Sequence, residues 1–384
     1  MRIVYCTSTV CHMGGMELLT LVKANELAKL PGNEVWIVMT EDGGEPMIPL
    51  VNVKLVSLGV NYYQGDRGGY VHAMWAFHQK TKLHQKRLTA LLNEIQPDVV
   101  VSTEQFEKLF LPTLKIHSRP AFVREMHMSK RYGLDGVASW PKKLKERMKY
   151  FQDYEWKIRA YDKIVAVTEE GKSGTWKNWD KVTIIPNPLM KRSTAVADGS
   201  AKVAITSGRL FRMKNFESLV NIWSKVVRRH PDWTLQIWGN GGEEARLKQQ
   251  IERLGLQEKV FLMGYTSDMV GEMAKASLFV LTSKSESFSL VTLEAMSVGL
   301  PTVVYNCPGG IRYVVEEGKT GFLVPMGDEE AFVEKVCTLI EDTEMRKEMG
   351  AQALKVSEKY AMDKVIEQWM ELFRDLCQKK KGNK

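Results

Sequence analysis

Thirteen short runs rich in Val, Ile and Leu, separated by helical or turn-forming segments, constrain this chain more than any other feature. Seven fall in the first half: IVYCT (3–7), VWIVMT (35–40), VKLVSL (53–58), DVVVST (98–103), AFVREMH (121–127), KIVAVT (163–168) and VTIIPN (182–187). Six fall in the second: VAITSG (203–208), TLQIWG (234–239), VFLMGY (260–265), LFVLTS (278–283), PTVVYN (301–306) and GFLVP (321–325). Near-continuous apolar strands alternating with helices imply parallel sheets buried on both faces. The expected class is α/β, with two Rossmann-like doubly wound domains facing each other across a cleft.

At 384 residues the chain is too long for one ordinary core and suits about two domains. Pro186 and Pro188, followed by the small and polar residues up to Lys202, mark the change between halves. The expected boundaries are a first domain at 1–187, a linker at 188–202, a second domain at 203–361 and a C-terminal helix at 362–384. That last helix carries an apolar stripe at Val365, Ile366, Trp369, Met370, Leu372 and Phe373, which needs a surface to pack on. A return to the first domain supplies one.

No apolar stretch approaches the ~20 residues a membrane-spanning helix needs. The N-terminal MRIVYC is a β-like run without the apolar region of a secretory signal. These features read as a cytoplasmic chain. The five cysteines form no CxxC pair, which argues against a disulfide framework or structural zinc.

In doubly wound sheets ligands meet the carboxyl ends of the strands, and polar residues collect there. Gly14 and Gly15 precede a helical pattern after the first run, either as a simple turn or as a place of close backbone approach to an anion. Arg209 and Lys214 lie five residues apart between a strand and its helix, with Asn215 as the expected cap. Two cations there suit a diphosphate, or else form a solvated basic loop. In SKSESFSLVTLEAMSVGLP (283–301), Glu286 falls in a turn and Glu294 lies inside the helix that follows. A buried Glu294 needs a hydrogen-bonding partner, which a ribose diol or a basic side chain supplies. The amides of Phe288, Ser289 and Leu290 open that helix and are free to meet an anion.

The Glu286–Glu294 pair in its E-x7-E spacing, with SGRLFRMKN, WGNGGEEARL, VFLMGY and EGKTGFLVP in the same order, resembles the retaining glycosyltransferases of family 4, which have the GT-B fold. The ordered set covers about residues 203–325. GGMELL and the strand end at His127 match more loosely. The resemblance implies that Arg209 and Lys214 hold the donor diphosphate, Glu294 the nucleotide ribose and Glu286 the sugar hydroxyls. Phe288, Ser289 and Leu290 add phosphate contacts, and Tyr265, Gly14 and Gly15 join the donor set. Ser289 stands where the family more commonly has glycine. His127 matches a position beside the donor sugar, unless it is a satisfied strand-end histidine.

On that basis His127, Glu286, Arg209 and Lys214 are the candidate catalytic residues. The implied reaction moves a hexose or N-acetylhexosamine from a UDP-linked donor, with retention, onto a glycan or lipid-linked acceptor for cell-surface polysaccharide. No D-x-D motif is present, so no metal or other cofactor is expected. A nonhydrolysing sugar-nucleotide epimerase on the same fold, or a catalytically silent sugar-nucleotide binder, are the rival readings.

Net charge is +8, and between Lys108 and Lys163 there are 14 Lys/Arg against 6 Asp/Glu, a local excess of 14 − 6 = 8. The segment 140–163 interleaves these cations with aromatics. It reads as a solvated helix face or as a helix on an anionic membrane surface, which would make the protein peripheral at the inner membrane face. Nucleic acid is not expected as a partner, because no nucleic-acid motif accompanies it.

Overall fold

A computed structural model describes residues 1–11, 14–64, 70–103, 105–127, 156–172, 179–191 and 193–382. All thirteen apolar runs are strands, and all of them pair in parallel. The chain divides into two units, Met1–Ile185 with Val365–Lys384, and Pro186–Lys364.

The first unit holds a seven-stranded sheet in the order β3-β2-β1-β4-β5-β6-β7. Its strands are β1 (Arg2–Thr7), β2 (Glu34–Met39), β3 (Val53–Ser57), β4 (Val99–Ser102), β5 (Ala121–Met126), β6 (Lys163–Ala166) and β7 (Val182–Ile184). Helix α1 (Gly15–Lys29) follows β1 and helix α2 (Tyr70–Ile95) follows β3. Side chains alternate across a strand. Val4, Cys6 and Phe122 therefore enter a core on one face with Leu88 and Leu92 of α2.

The second unit holds a six-stranded sheet in the order β10-β9-β8-β11-β12-β13. These strands are β8 (Val203–Ser207), β9 (Thr234–Trp238), β10 (Val260–Gly264), β11 (Leu278–Leu281), β12 (Thr302–Tyr305) and β13 (Gly321–Val324). Helix α3 (Phe216–Arg229) follows β8 and helix α4 (Leu290–Met296) follows β11. In α3, Phe216, Leu219, Val220, Trp223 and Val226 are buried at helical spacing, driving that face onto the sheet. Both sheets reverse their strand order once, between β1 and β4 and between β8 and β11. Those reversals are where a doubly wound sheet opens a crevice at its carboxyl ends.

Two segments at the unit boundaries carry specific contacts. Residues 189–199, read from sequence as linker, are tied to the second unit: Leu189 N donates to Tyr360 O at 2.7 Å and Ala197 N to Val298 O at 2.8 Å. The buried Arg346 guanidinium donates to Gly199 O at 3.0 Å. The C-terminal helix α5 (Met362–Gly382) buries Val365, Ile366, Trp369, Met370 and Phe373. It is anchored within the first unit, where Asn33 Nδ2 donates to Met370 Sδ at 3.4 Å and Lys380 pairs with Asp162 at 2.9 Å.

Candidate functional site

The second unit brings Lys214 and Glu286 together although they are 72 residues apart. Lys214 Nζ donates to Glu286 Oε1 at 2.6 Å, and both side chains are largely buried. Lys214 lies on the loop after β8 and Glu286 on the loop after β11, so the pair straddles the order reversal.

Backbone contacts fix both loops. Thr282 Oγ1 donates to Asn215 O at 2.9 Å and Lys284 N to Met213 O at 2.8 Å, stitching the β11 loop to the β8 loop. Glu286 N donates to Pro308 O at 3.1 Å, and Gly310 N donates to Glu286 O at 2.6 Å. Gly309 makes that crossing possible. Its φ is +113°, and a Cβ there would fall 1.8 Å from Glu286 O. Gly239 is the equivalent on the other side, where a Cβ would fall 2.1 Å from Gly208 O. Gly208 in turn leaves room for the Lys214 stem, with Cε 3.1 Å from where a Cβ would stand.

The expected cap on α3 is corrected in one respect. Asn215 occupies the N-cap position, but at φ +55° in the left-handed region, and its side chain makes no capping hydrogen bond. Asparagine tolerates that region better than most residues. The position therefore uses Asn215 for its backbone shape. Arg209 and Tyr265 are exposed, the first on the β8 loop and the second directly after β10.

Ser289 is the N-cap of α4 at φ +65°. Glycine would adopt this left-handed conformation at lower cost than serine. The serine is held by its Oγ contact with Thr292 Oγ1 at 2.8 Å. Phe288 and Ser289 are buried and Leu290 half-buried. Among the described residues, the amides of these three find no acceptor.

Glu294 lies in the second turn of α4, and burial pushes its carboxyl up to about 7, with Lys191 opposing. A carboxyl raised above its unfolded value favours the protonated fold, so stability is lost as pH climbs from about 4.5 through about 7. We expect Glu294→Gln to melt close to the parent at pH 5 and several degrees above it at pH 8. Melting differences that do not change with pH would contradict the raised carboxyl.

A cavity of about 410 Å³ adjoins the β8 loop, lined by Phe211, Arg212, Asn215, Glu217, Glu243 and Arg246 among others. Arg212 pairs with Glu243 at 3.5 Å and Arg246 with Glu217 at 3.1 Å, and Lys284 also lines the cavity. Neither Lys214 nor Glu286 lines it.

The remaining candidates lie in the first unit. His127 directly follows β5 and is 4% exposed, with Nε2 3.2 Å from Glu125 Oε1. Glu125 also pairs with the buried Lys23 of α1. Sequence reasoning missed both partners. The signal was available in REMH, since Glu125 and His127 are two apart on a strand and must share a face. Gly14 is the N-cap of α1 with extended backbone, and Gly15 opens the helix. A Cβ on Gly14 would collide with the Glu17 carboxylate, whereas one on Gly15 meets nothing. Most of the basic segment 140–163 lies outside the described residues.

Comparison with known proteins bears on this geometry. Residues 191–356 match the family described as glycosyl transferases group 1, a span that contains Arg209, Lys214, Glu286 and Glu294. An uncharacterized glycosyltransferase of Haemophilus influenzae is 28% identical over 83% of this chain and 90% of its own length. The poly(glycerol-phosphate) alpha-glucosyltransferase of Bacillus subtilis is 35% identical over 48% of this chain, which spans only 27% of that protein. Among solved structures, Anabaena HepE in complex with UDP superimposes with a TM-score of 0.74 at 20% identity, covering 98% of this chain and 100% of that one. S. aureus TarM, solved with UDP, matches with a TM-score of 0.73 at 13% identity over 97% of this chain and 99% of that one. The chain has the GT-B fold and is a glycosyltransferase, with residues 191–356 matching the glycosyl transferases group 1 model.

Proposed function

We propose that the protein transfers a hexose or N-acetylhexosamine from a UDP-linked donor to a glycan or lipid-linked acceptor, with retention and without a metal, in cell-surface polysaccharide synthesis. The observation that carries this reading is the Lys214–Glu286 contact at the strand-order reversal of the second unit. In the free protein each neutralises the other, which keeps two largely buried charges compensated. A donor separates them: the diphosphate takes the Lys214 ammonium, and the sugar hydroxyls take the Glu286 carboxylate. Lys214 and Arg209 then stabilise the negative charge that builds up as the nucleoside diphosphate leaves. The amides at the start of α4 add dipoles of the same sign. Glu294 accepts from the ribose hydroxyls. His127 sits beside the sugar, and Gly14 and Gly15 allow backbone approach. The acceptor hydroxyl attacks on the face the diphosphate vacates and gives its proton to a phosphate oxygen.

One relative named for glucosyl transfer and two neighbours solved with UDP support the donor class. The deciding experiment incubates the enzyme with UDP-, GDP- and ADP-sugars, an acceptor extract and EDTA. NMR then reads the anomeric configuration of the product. Transfer from a UDP-sugar with the α-linkage kept and EDTA tolerated is the expected result. An inverted product, or activity abolished by EDTA and restored by a divalent ion, would refute it.

Peripheral membrane attachment belongs to the same proposal, and α2 supports it. Met74, Trp75 and Phe77 are 57%, 59% and 52% exposed on this helix, followed by the exposed Lys82, Lys86 and Arg87. The only acid of α2 is Glu94, near its far end. An apolar tip beside a cationic face suits an anionic bilayer surface. Among the described residues no helix is long and apolar enough to cross a membrane. We expect cosedimentation with phosphatidylglycerol vesicles at low salt, most of it lost in Trp75→Ala/Lys82→Ala/Lys86→Ala. A parent protein that stays in the supernatant removes this part of the proposal.

A further inference from the structure

Three ionisable side chains meet in the interior of the first unit. Lys23 of α1 and Glu125 of β5 form an ion pair with side-chain exposures of 1% and 2%, and His127 Nε2 lies 3.2 Å from the same Glu125 oxygen. The period-2 geometry of β5 puts Glu125 and His127 on one face and the buried Arg124 on the other. Helices α1 and α5 cover the first of these faces. Lys23 Nζ stands 4.8 Å from the Trp369 ring of α5 and 5.7 Å from the Tyr5 ring of β1. Among the described residues, the titratable groups gathered here are Tyr5, Lys23, Glu125 and His127.

Burying this many polar groups is costly, and a core of this size has simpler apolar solutions. The cluster is also incompletely satisfied. Tyr5 Oη, Glu125 Oε2 and both ring nitrogens of His127 make no aligned hydrogen bond among the described residues. An electrostatic role toward His127 accounts for the arrangement, because the histidine is the one member at a strand's carboxyl end.

We infer that Lys23 and Glu125 are positioning residues that together set the charge carried by His127. Glu125 is the anion in contact with the ring, and Lys23 offsets part of its field there. Trp369 holds the ammonium on this face through its ring, so the C-terminal helix contributes to the state of the histidine. The electrostatics agree. Burial alone would raise Glu125, but Lys23 and His127 outweigh it and hold the carboxyl at about 2. Burial lowers Lys23, with Glu125 opposing.

This inference deepens the proposed role of His127 at the donor sugar and rests on it only for its catalytic consequence. The test reads His127 directly, by NMR of the full-length chain with labelled histidine, assigned with His127→Gln. In Lys23→Met the carboxylate loses its cation, and the His127 midpoint should rise by one pH unit or more. In Glu125→Gln the ring loses its anion and keeps the cation, so the midpoint should fall. The double variant buries no lone charge, folds even if a single variant does not, and should return the midpoint to within about half a unit of the parent. Tyr5→Phe, which keeps both charges, should leave it unmoved. Midpoints that stay put, that move the same way in both single variants, or that lie a full unit away in the double variant would overturn the inference. The pH profile of kcat is recorded in parallel. If opposite NMR shifts appear while His127→Gln turns over normally, the coupling stands and the placement of His127 at the sugar fails.

Discussion

Lys214→Ala should lower kcat/KM for sugar transfer by about two to three orders of magnitude while leaving the second unit folded. The magnitude follows from what is removed: a preorganised cation aimed at developing charge in a partly dehydrated site, an interaction typically worth about 3–4 kcal/mol of barrier. Stability is affected less, by about 1–3 kcal/mol, because the substitution leaves Glu286 largely buried without its cation. Most of that cost disappears in Lys214→Ala/Glu286→Gln, in which no charge is stranded. Melting should therefore recover in the double variant and turnover should not. Arg229→Ala is the control, removing an exposed contact of similar length, 2.7 Å to Glu334. Exposed pairs contribute about 0–1 kcal/mol, and turnover should be untouched. Steady-state kinetics with the UDP-sugar donor, beside thermal melts, reads all three. Folded Lys214→Ala with parental kcat/KM would remove the residue from the reaction.

The fold and the candidate residues of the second unit were legible for one physical reason. Parallel strands covered on both faces are predominantly apolar, so the thirteen runs stood out against their polar flanks, and the residues beyond their carboxyl ends could be read as loop positions. Lys214 and Glu286 came forward in that way, as charged residues on the loops that follow β8 and β11. What could not be read was their contact. A hydrogen bond across 72 residues depends on which strands are neighbours, and strand order is not written in any one run. The glycines show the same limit. Gly239 and Gly309 look like ordinary turn residues, and only the crossing of two backbones reveals that a methyl group has no space. Asn215 failed differently: its identity suggested a side-chain cap, whereas the position selects it for positive φ. In the first unit the strand end at His127 was visible, but Lys23 was not. A lysine in the middle of a helical pattern reads as a solvated position until a carboxylate on the adjacent strand is found beneath it.

The crossing at Gly309 leads to the second large effect, because there one backbone atom controls both stability and the placement of Glu286. Gly309→Ala would set a Cβ 1.8 Å from Glu286 O at a φ of +113°. Neither obstacle relaxes through a side chain, since the colliding atom is backbone. The β11 loop must move, breaking the hydrogen bond from Gly310 N to Glu286 O and carrying the carboxylate away from Lys214. Strain of about 1–3 kcal/mol and a lost hydrogen bond of about 1 kcal/mol give a total of about 2–4 kcal/mol. For a unit of this size that is about 5–15 °C in melting temperature. Turnover should fall by at least tenfold alongside it. Gly318→Ala separates the two causes. Gly318 also has positive φ, +71°, but a Cβ there meets nothing within 4 Å. It should show the conformational cost alone, about 1 kcal/mol, with activity retained. Equal melting shifts in the two variants, with both fully active, would show that Glu286 is not held by this crossing. A large shift in Gly309→Ala with activity intact would show that the loop can move without displacing a group the reaction needs.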